Sequence, residues 1–116
     1  MRALFLDRDG VINIDHGYVH TIHGFKWRIG IFFICKVAML TKHKIIIITN
    51  QAGIAKGKYT TKQFIDLTNY MLSKFSEHGI NIECVYYCPY HEDGKIKEFK
   101  KKSHWRKPKP GMIEEG

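Results

Sequence analysis

Two aspartates separated by one residue occupy the tetrapeptide Asp7-Arg8-Asp9-Gly10 near the start of the chain. They directly follow a short apolar run, residues 2–6, which predicts a buried strand that ends in a loop. One carboxylate of such a pair can attack a phosphorus atom as a nucleophile, and the other can protonate a leaving oxygen and later activate water. Their joint negative charge favours a hard cation such as Mg²⁺. An ordinary turn with Gly10 in the left-handed conformation is the structural alternative for the same residues.

A second polar cluster follows the clearest strand of the sequence, residues 44–49. This strand contains four consecutive isoleucines, which predicts burial on both faces and is typical of a central parallel strand. It ends in the polar, glycine-bearing segment 49–53, which has the sequence TNQAG. The pattern therefore predicts a second loop that carries polar side chains to the end of a buried strand.

The remaining segments complete an alternating pattern of strands and helices. Helices are predicted over residues 29–42 and 61–78, the second with Thr60 or Thr61 as N-cap and Gly79 as its stop. The first helix is apolar nearly all round, so it is either covered on two sides or prone to association. A third strand is predicted at 80–87. Loops are predicted at 15–28 and 88–110, and residues 111–115 could form a first helical turn.

This order predicts an α/β fold, a Rossmann-like doubly wound parallel sheet, with residues 1–116 as a single domain. In such sheets the ligand binds beyond the carboxyl ends of the strands. Both polar clusters, 7–10 and 49–53, fall at predicted carboxyl ends of strands. The sequence therefore predicts one binding site that draws on both clusters.

Composition and charge exclude several other classes of protein. A hydrophobic fraction of 44% favours a globular chain, and neither a transmembrane stretch nor a signal peptide is indicated. Three cysteines without a disulfide-scaffold spacing suit a reducing compartment, so we expect a cytoplasmic protein. The net charge of +8 is concentrated in residues 95–109. A basic run can bind nucleic acid, but the sequence lacks the aromatic platform or reading helix that would favour that function.

Three segments together resemble the haloacid dehalogenase superfamily, and within it the branch of histidinol phosphatases and D,D-heptose 1,7-bisphosphate phosphatases. The first motif of that branch is similar to residues 5–13 (FLDRDGVIN) and 15–19 (DHGYV). The second motif is similar to residues 48–57 (ITNQAGIAKG). The third region is similar to residues 87–91 (YCPYH) and 106–112 (RKPKPGM). The resemblance extends with consistent spacing over essentially the whole chain.

The resemblance implies roles for individual residues. Asp7 would be the nucleophile that forms an aspartyl-phosphate, and Asp9 the general acid and base. The Asp7 carboxylate and the Asp9 backbone carbonyl would bind Mg²⁺. Thr49 would donate to the phosphoryl oxygens and Lys107 would neutralise the charge that develops on them. Taken alone, Thr49 could simply cap a turn, and Lys107 could be one more member of the basic run.

The resemblance also implies a set of substrate contacts, to the sugar or to its second phosphate. It draws on three parts of the chain, and polar loop residues of this kind often serve only their own loop. The candidate residues are Asp15, His16, Gly17, Tyr18, Asn50, Gln51, Ala52 and Arg106.

Two features depart from the family pattern. Close relatives carry Cys-X-His and then Cys-X-Cys, a tetrahedral zinc site. Here the matching positions hold Cys88, Tyr90, Ser103 and Trp105, so we expect no zinc to bind, although Cys84, His91 and His104 could in principle offer a shifted set. The fourth motif of the superfamily, an acidic pair that supplies another Mg²⁺ ligand, has no counterpart within the 116 residues.

A core that is incomplete at its C-terminus predicts a weak Mg²⁺ site, marginal stability and an exposed sheet edge that favours self-association. The leading expectation is a Mg²⁺-dependent phosphatase acting on a small phosphorylated sugar, with a role in making the heptose of the bacterial outer envelope. The alternatives are a histidinol-phosphate phosphatase and a non-catalytic chain that binds phosphate or associates with itself.

Overall fold

The computed structural model of the chain describes residues 2–89 and 97–99. Within them, one four-stranded sheet is combined with three helices. The strands are β1 (Arg2–Asp7), β2 (His43–Asn50), β3 (Ile82–Cys88) and β4 (Lys97–Phe99). The helices are α1 (Ile31–Leu40), α2 (Ala52–Ala55) and α3 (Thr61–Glu77).

The sheet has the strand order β1-β2-β3-β4, and its first three strands are parallel. The β2 strand is central, and its Ile45 and Ile47 side chains are fully buried. In register, Leu6 lies opposite Ile47, which in turn lies opposite Val85. The predicted α/β class and parallel sheet are therefore confirmed, and the carboxyl ends of β1 and β2 meet at the same edge.

Both long helices cover the same face of this sheet. Cys35 from α1 and Phe75 from α3 belong to one core cluster with Ile45 and Ile47. A smaller cluster lies on the opposite face and contains Ile46, Cys84 and Tyr86. The residues that the structure describes thus form one winding of the predicted doubly wound fold, and no described helix covers the second face.

The α3 helix has well-formed ends. At its start, Thr60 Oγ1 accepts from the Gln63 backbone nitrogen at 3.1 Å while the Gln63 side chain accepts from the Thr60 nitrogen at 2.8 Å, which is a capping box. At its end, Gly79 has a φ of 74°, and the backbone nitrogens of Gly79 and Ile80 donate to Ser76 and Phe75. This is a Schellman motif, so the predicted N-cap and stop are both confirmed.

The α1 helix is less protected than α3. It is shorter than predicted, and it begins after Gly30 without a side-chain cap. Its inner side is buried, but Phe33 is 72% exposed and Leu40 is 82% exposed. The all-round apolar pattern therefore reflects a helix that is covered on one side within the described structure.

Two short elements lie where the sequence predicted only turn and loop. The α2 helix occupies part of the 49–57 segment, and β4 pairs antiparallel with β3 inside the predicted 88–110 loop. The β4 prediction was wrong because the strand is three residues long and carries a charged residue, Glu98, that is buried. No helix in the described ranges is long and apolar enough to cross a membrane.

Candidate active site

A cavity of about 470 Å³ opens at the carboxyl ends of β1 and β2. It is therefore located where a parallel α/β sheet binds its ligand. The cavity is lined by Asp7, Arg8, Asp9, Asp15, Gly17, Tyr18, Thr49, Asn50, Gln51, Ala52, Gly53 and Tyr59.

The first wall of the cavity is the tight turn that follows β1. Gly10 has a φ of 92°, a left-handed conformation that a glycine adopts without steric cost. The Gly10 backbone nitrogen donates to the Asn13 carbonyl at 2.7 Å, and the Ile12 nitrogen donates to the Arg8 carbonyl at 2.8 Å. This turn folds the chain back and places the carboxylates of Asp7 and Asp9 on the same cavity.

Three side chains hold the carboxylate of Asp9. Arg8 Nη2 donates to Asp9 Oδ1 at 2.8 Å and Asn13 Nδ2 donates to the same oxygen at 3.1 Å. Gln51 Nε2 donates to Asp9 Oδ2 at 3.2 Å. Both carboxylate oxygens therefore have donors, so the orientation of Asp9 is fixed by residues from the turn and from the second polar cluster.

The Arg8 side chain is buried, with only 2% of its surface exposed. Besides its ion pair with Asp9, Nη2 donates to the Val19 carbonyl at 2.7 Å, and the guanidinium lies 5.9 Å from the centre of the Phe25 ring. Arg8 thus connects the Asp9 carboxylate to the loop that forms the rim of the cavity. A buried charge of this kind is tolerated when it is paired and hydrogen-bonded.

The carboxylate of Asp7 has a very different environment. Its side chain is exposed to the cavity, and it forms no hydrogen bond or ion pair within residues 2–89 and 97–99. A carboxylate without donors keeps its lone pairs available for a ligand or for a reaction. Asp7 is therefore the acidic group of this cavity that is available to react.

The second wall is a chain of hydrogen bonds between buried polar side chains. Gln51 Nε2 donates to Thr49 Oγ1 at 2.7 Å, and the Tyr59 hydroxyl donates to Gln51 Oε1. All three side chains are buried. Burial raises the pKa of Tyr59 to about 12, since desolvation outweighs the opposing effect of Arg8. Tyr59 therefore carries its proton at neutral pH.

The rim of the cavity carries positive charge. Lys56 Nζ donates to the Tyr18 hydroxyl at 3.4 Å, and the ammonium groups of Lys56 and Lys58 lie 5.9 Å and 5.7 Å from the centre of the Tyr18 ring. Neither lysine forms a salt bridge in the part of the chain that the structure describes. On the same rim, Asp15 Oδ1 accepts from the Gly17 nitrogen at 2.9 Å and so shapes the loop.

The structure brings most of the predicted site residues together. Asp7, Asp9 and Thr49 share the cavity with five predicted substrate-binding residues, Asp15, Gly17, Tyr18, Asn50 and Ala52, and with a sixth, Gln51. His16 is not part of the lining, because its Nε2 donates to the Gly24 carbonyl at 2.8 Å within its own loop. Arg106 and Lys107 lie outside the described residues.

Three lining residues were not predicted from the sequence. Arg8 and Gly53 stand inside the two motifs, and Tyr59 comes from the segment between α2 and α3. A Cβ on Gly53 would overlap the rings of both Tyr59 and Tyr18. The requirement for glycine there was a signal that two aromatic rings approach the backbone, but the sequence does not say which rings.

The metal positions are described only in part. No group of three or more His, Cys, Asp or Glu side chains that could hold a metal ion occurs in the described ranges. Cys88 ends β3, and its backbone carbonyl accepts from the Gln51 nitrogen at 2.8 Å. The other zinc-loop positions, Tyr90, Ser103 and Trp105, and the substitutes His91 and His104 are not described, so the absence of zinc stays a prediction.

The described fold has a close counterpart among solved structures. It matches a crystal structure described as D,D-heptose 1.7-bisphosphate phosphatase from B. bronchiseptica complexed with magnesium and phosphate, with a TM-score of 0.76 and 25% identity. The match covers 99% of this chain and 61% of that chain. The fold is therefore that of the haloacid-dehalogenase-like phosphatases.

Sequence comparison narrows this class to a family. Residues 16–115 match the family described as polynucleotide kinase 3 phosphatase, and the chain belongs to that family. Over 111 residues, 96% of this chain, it is 44% identical to the D-glycero-beta-D-manno-heptose-1,7-bisphosphate 7-phosphatase of Vibrio cholerae serotype O1. The enzyme of the same name from Escherichia coli strain K12 is 41% identical over 111 residues. The predicted resemblance is confirmed, and the chain spans 60% and 58% of the length of these two relatives.

Proposed function

We propose that this chain hydrolyses a phosphate ester of a small sugar, with a heptose 1,7-bisphosphate as the substrate and the 7-phosphate as the reacting group. The observation that carries the proposal is the pairing of two unlike carboxylates in one cavity. Asp7 has no protein partner in the described structure, whereas Asp9 is held beside it by Arg8, Asn13 and Gln51. The names of the relatives supply the substrate class.

In the proposed reaction, a carboxylate oxygen of Asp7 attacks the phosphorus atom and the bond to the sugar oxygen breaks. Asp9 gives its proton to the departing sugar oxygen. Water then attacks the phosphorus of the aspartyl-phosphate and transfers a proton to Asp9, so that inorganic phosphate leaves and both carboxyl groups are restored. Thr49 donates to the phosphoryl oxygens, and we propose the same function for Lys107.

The residues present suit Mg²⁺ as a partial site. The Asp7 carboxylate and the Asp9 backbone carbonyl would be its protein ligands, since both are hard oxygen donors and Mg²⁺ commonly keeps several waters. When bound, the ion would offset the repulsion between Asp7 and a phosphate dianion. Asp7 fits this function because no described protein group competes for its oxygens.

The basic rim supports a substrate with two phosphates. Lys56 and Lys58 flank Tyr18, which lines the same cavity as Asp7. We propose that these ammonium groups attract the phosphate that does not react, together with Arg106. Replacing both lysines with methionine should raise KM for a bisphosphate more than KM for a monophosphate, and an equal rise for both would contradict this assignment.

The test is Mg²⁺-dependent phosphate release from D-glycero-D-manno-heptose 1,7-bisphosphate by the purified 116-residue chain. Asp7→Asn should abolish release. Asp66→Asn is the matched control, because Asp66 is an exposed aspartate of α3 that only pairs with Lys62. Equal activity in wild type and Asp7→Asn would refute the assignment of the nucleophile.

Two other substrates decide between neighbouring activities. Histidinol phosphate tests the other branch that shares these motifs, and an oligonucleotide with a 3′-phosphate tests the activity that the family's name suggests. We expect the bisphosphate to give the highest kcat/KM. A higher value for either competitor would replace the proposed substrate while leaving the reaction type intact.

We also propose a tendency of the chain to self-associate. Within the described sheet, β1 has β2 as its one neighbour, and Phe5 on β1 is 51% exposed. Phe33 and Leu40 add exposed apolar surface on α1. Size-exclusion chromatography should therefore show a concentration-dependent dimer that weakens in Phe5→Lys, and a monomer at every concentration would refute this proposal.

A further inference from the structure

The buried chain Tyr59–Gln51–Thr49 has a direction, because each hydrogen bond needs one donor and one acceptor. The Asp9 carboxylate accepts, so the Gln51 side-chain atom that faces it at 3.2 Å must be the amide nitrogen. That nitrogen also donates to Thr49 Oγ1 at 2.7 Å. The amide oxygen of Gln51 then points to Tyr59, whose hydroxyl must donate to it.

The direction of this chain determines where the hydrogen of Thr49 points. Thr49 Oγ1 already accepts from Gln51, and it has no other hydrogen-bond partner in residues 2–89 and 97–99. Its own O–H hydrogen is therefore available to a group in the cavity that Thr49 lines. A phosphoryl oxygen, which only accepts, is the complementary ligand for that hydrogen.

We propose that Tyr59 is a positioning residue, which fixes the amide of Gln51 so that Thr49 presents its hydroxyl hydrogen to the phosphoryl group. This inference rests on the proposed function, because it assumes that a phosphoryl oxygen occupies the cavity beside Thr49. Tyr59 does not touch the substrate in this account. It acts through the orientation of one side-chain amide.

The surroundings of Tyr59 suit a residue that holds one orientation. The ring stacks on His20, with 5.2 Å between ring centres and 3° between planes. On its other side the ring approaches Gly53 so closely that a Cβ there would overlap it. The hydroxyl is therefore held at a fixed point beside Gln51, and it keeps its proton at neutral pH.

Without the Tyr59 hydroxyl, the amide of Gln51 loses the donor that distinguishes its two ends. In the flipped orientation the Gln51 oxygen would face Asp9 and Thr49. Thr49 would then donate to Gln51 instead of to the phosphoryl group, and Asp9 would lose one of its three donor groups. The loss falls on contacts that matter most in the transition state, so kcat should fall and KM should change little.

The kinetic test compares Tyr59→Phe with Tyr70→Phe. Both variants remove one tyrosine hydroxyl, and the Tyr70 hydroxyl makes no hydrogen bond in the described structure while its ring packs on Phe25. Tyr59→Phe should lower kcat about fivefold to tenfold, as expected for one lost hydrogen bond, with KM within about twofold. Tyr70→Phe should leave both constants unchanged, and equal effects of the two variants would overturn the proposal.

A double-mutant cycle shows whether Tyr59 acts through Gln51. In the Gln51→Ala background the Tyr59→Phe change should have no further effect on kcat, because the amide that Tyr59 orients is gone. Additive losses would mean that Tyr59 acts by another route, and they would overturn the proposal.

The amide itself gives a readout that does not depend on activity. In ¹H–¹⁵N spectra, the side-chain NH₂ resonances of Gln51 are identified by their loss in Gln51→Ala. They should shift and exchange faster with water in Tyr59→Phe and stay unchanged in Tyr70→Phe. A wild-type chain that releases no phosphate would refute the proposed function alone, whereas resonances that do not move in Tyr59→Phe would overturn this inference whatever the activity.

Discussion

The end of β1 and the turn that follows it carry the same chemical group in opposite environments. Asp7, the last residue of β1, faces the cavity without a protein partner in the described structure. Asp9, two residues later, is bound on both oxygens by Arg8, Asn13 and Gln51. The same residue type is therefore prepared for two tasks, one to react and the other to stay in place.

This difference shows how two parts of the sequence divide the work at a site. The strand supplies an exposed carboxylate at a fixed point, and the turn supplies a buried cation, Arg8, which secures the second carboxylate and the rim loop together. Asp9 should therefore contribute to stability as well as to activity, whereas Asp7 should contribute to activity alone. Substitutions at each position can break this contrast.

The largest expected effect is the loss of activity in Asp7→Asn. The amide is a poor nucleophile, so phosphate release should fall by at least about 1,000-fold. Because Asp7 has no described protein partner, the free energy of unfolding should stay within about 0.5 kcal/mol of the wild-type value. Urea unfolding beside the phosphate assay checks both statements, and a large loss of stability would erase the contrast with Asp9.

Asp9→Asn should reduce both properties. It leaves the buried Arg8 guanidinium without its anion, and breaking such a pair costs about 3 kcal/mol, near the low end because 22% of the Asp9 side chain is exposed. Phosphate release should fall as well, since the amide cannot exchange a proton with the leaving group. Urea unfolding indistinguishable from that of Asp7→Asn would contradict the predicted difference.

Gly53→Ala tests the wall of the cavity that the two carboxylates share. The added methyl group overlaps the rings of Tyr59 and Tyr18, so one or both must move, at a cost of about 2 kcal/mol. Activity should fall because both rings line the cavity. Gly57→Ala is the control, as a Cβ there meets no atom within 4 Å, although the positive φ of 73° adds some strain. Equal activity in the two variants would show that the ring positions do not matter.

Thr60→Ala gives the smallest effect and calibrates the others. It removes the N-cap of α3, away from both carboxylates, and should lower the free energy of unfolding by about 1 kcal/mol. Phosphate release per folded molecule should not change. Thr61→Ala is the matched control because Thr61 is the first helical residue and does not cap. A loss of activity in Thr60→Ala would mean that the site responds to any loss of stability.

Much of this arrangement could be predicted from the sequence, because it follows from local patterns. Four isoleucines identified the central strand, Thr60 and Gly79 marked the ends of α3, and the two polar clusters fell at strand ends. The resemblance correctly placed Asp7, Asp9 and Thr49 near one another. These features depend on periodicity and on motifs that are continuous in the chain.

The features that escaped prediction depend on contacts between distant parts of the chain. Tyr59 reaches Gln51 only because α2 turns the chain back towards the cavity, and His16 is withdrawn from it by a bond to Gly24. Arg8 looked like a surface charge and is one of the most deeply buried side chains. Neither spacing nor composition reports such contacts, since they depend on how the loops pack.

The most direct test of the account is to capture the phosphoryl group on Asp7. The Asp9→Asn variant, mixed with para-nitrophenyl phosphate and Mg²⁺ and quenched in acid, should retain the intermediate, because this leaving group needs no proton while the attack of water lacks its base. Peptide mass spectrometry should find one phosphoryl group on Asp7. Product formed with a phosphoryl group on another residue, or with no protein-bound phosphoryl group, would contradict the central assignment.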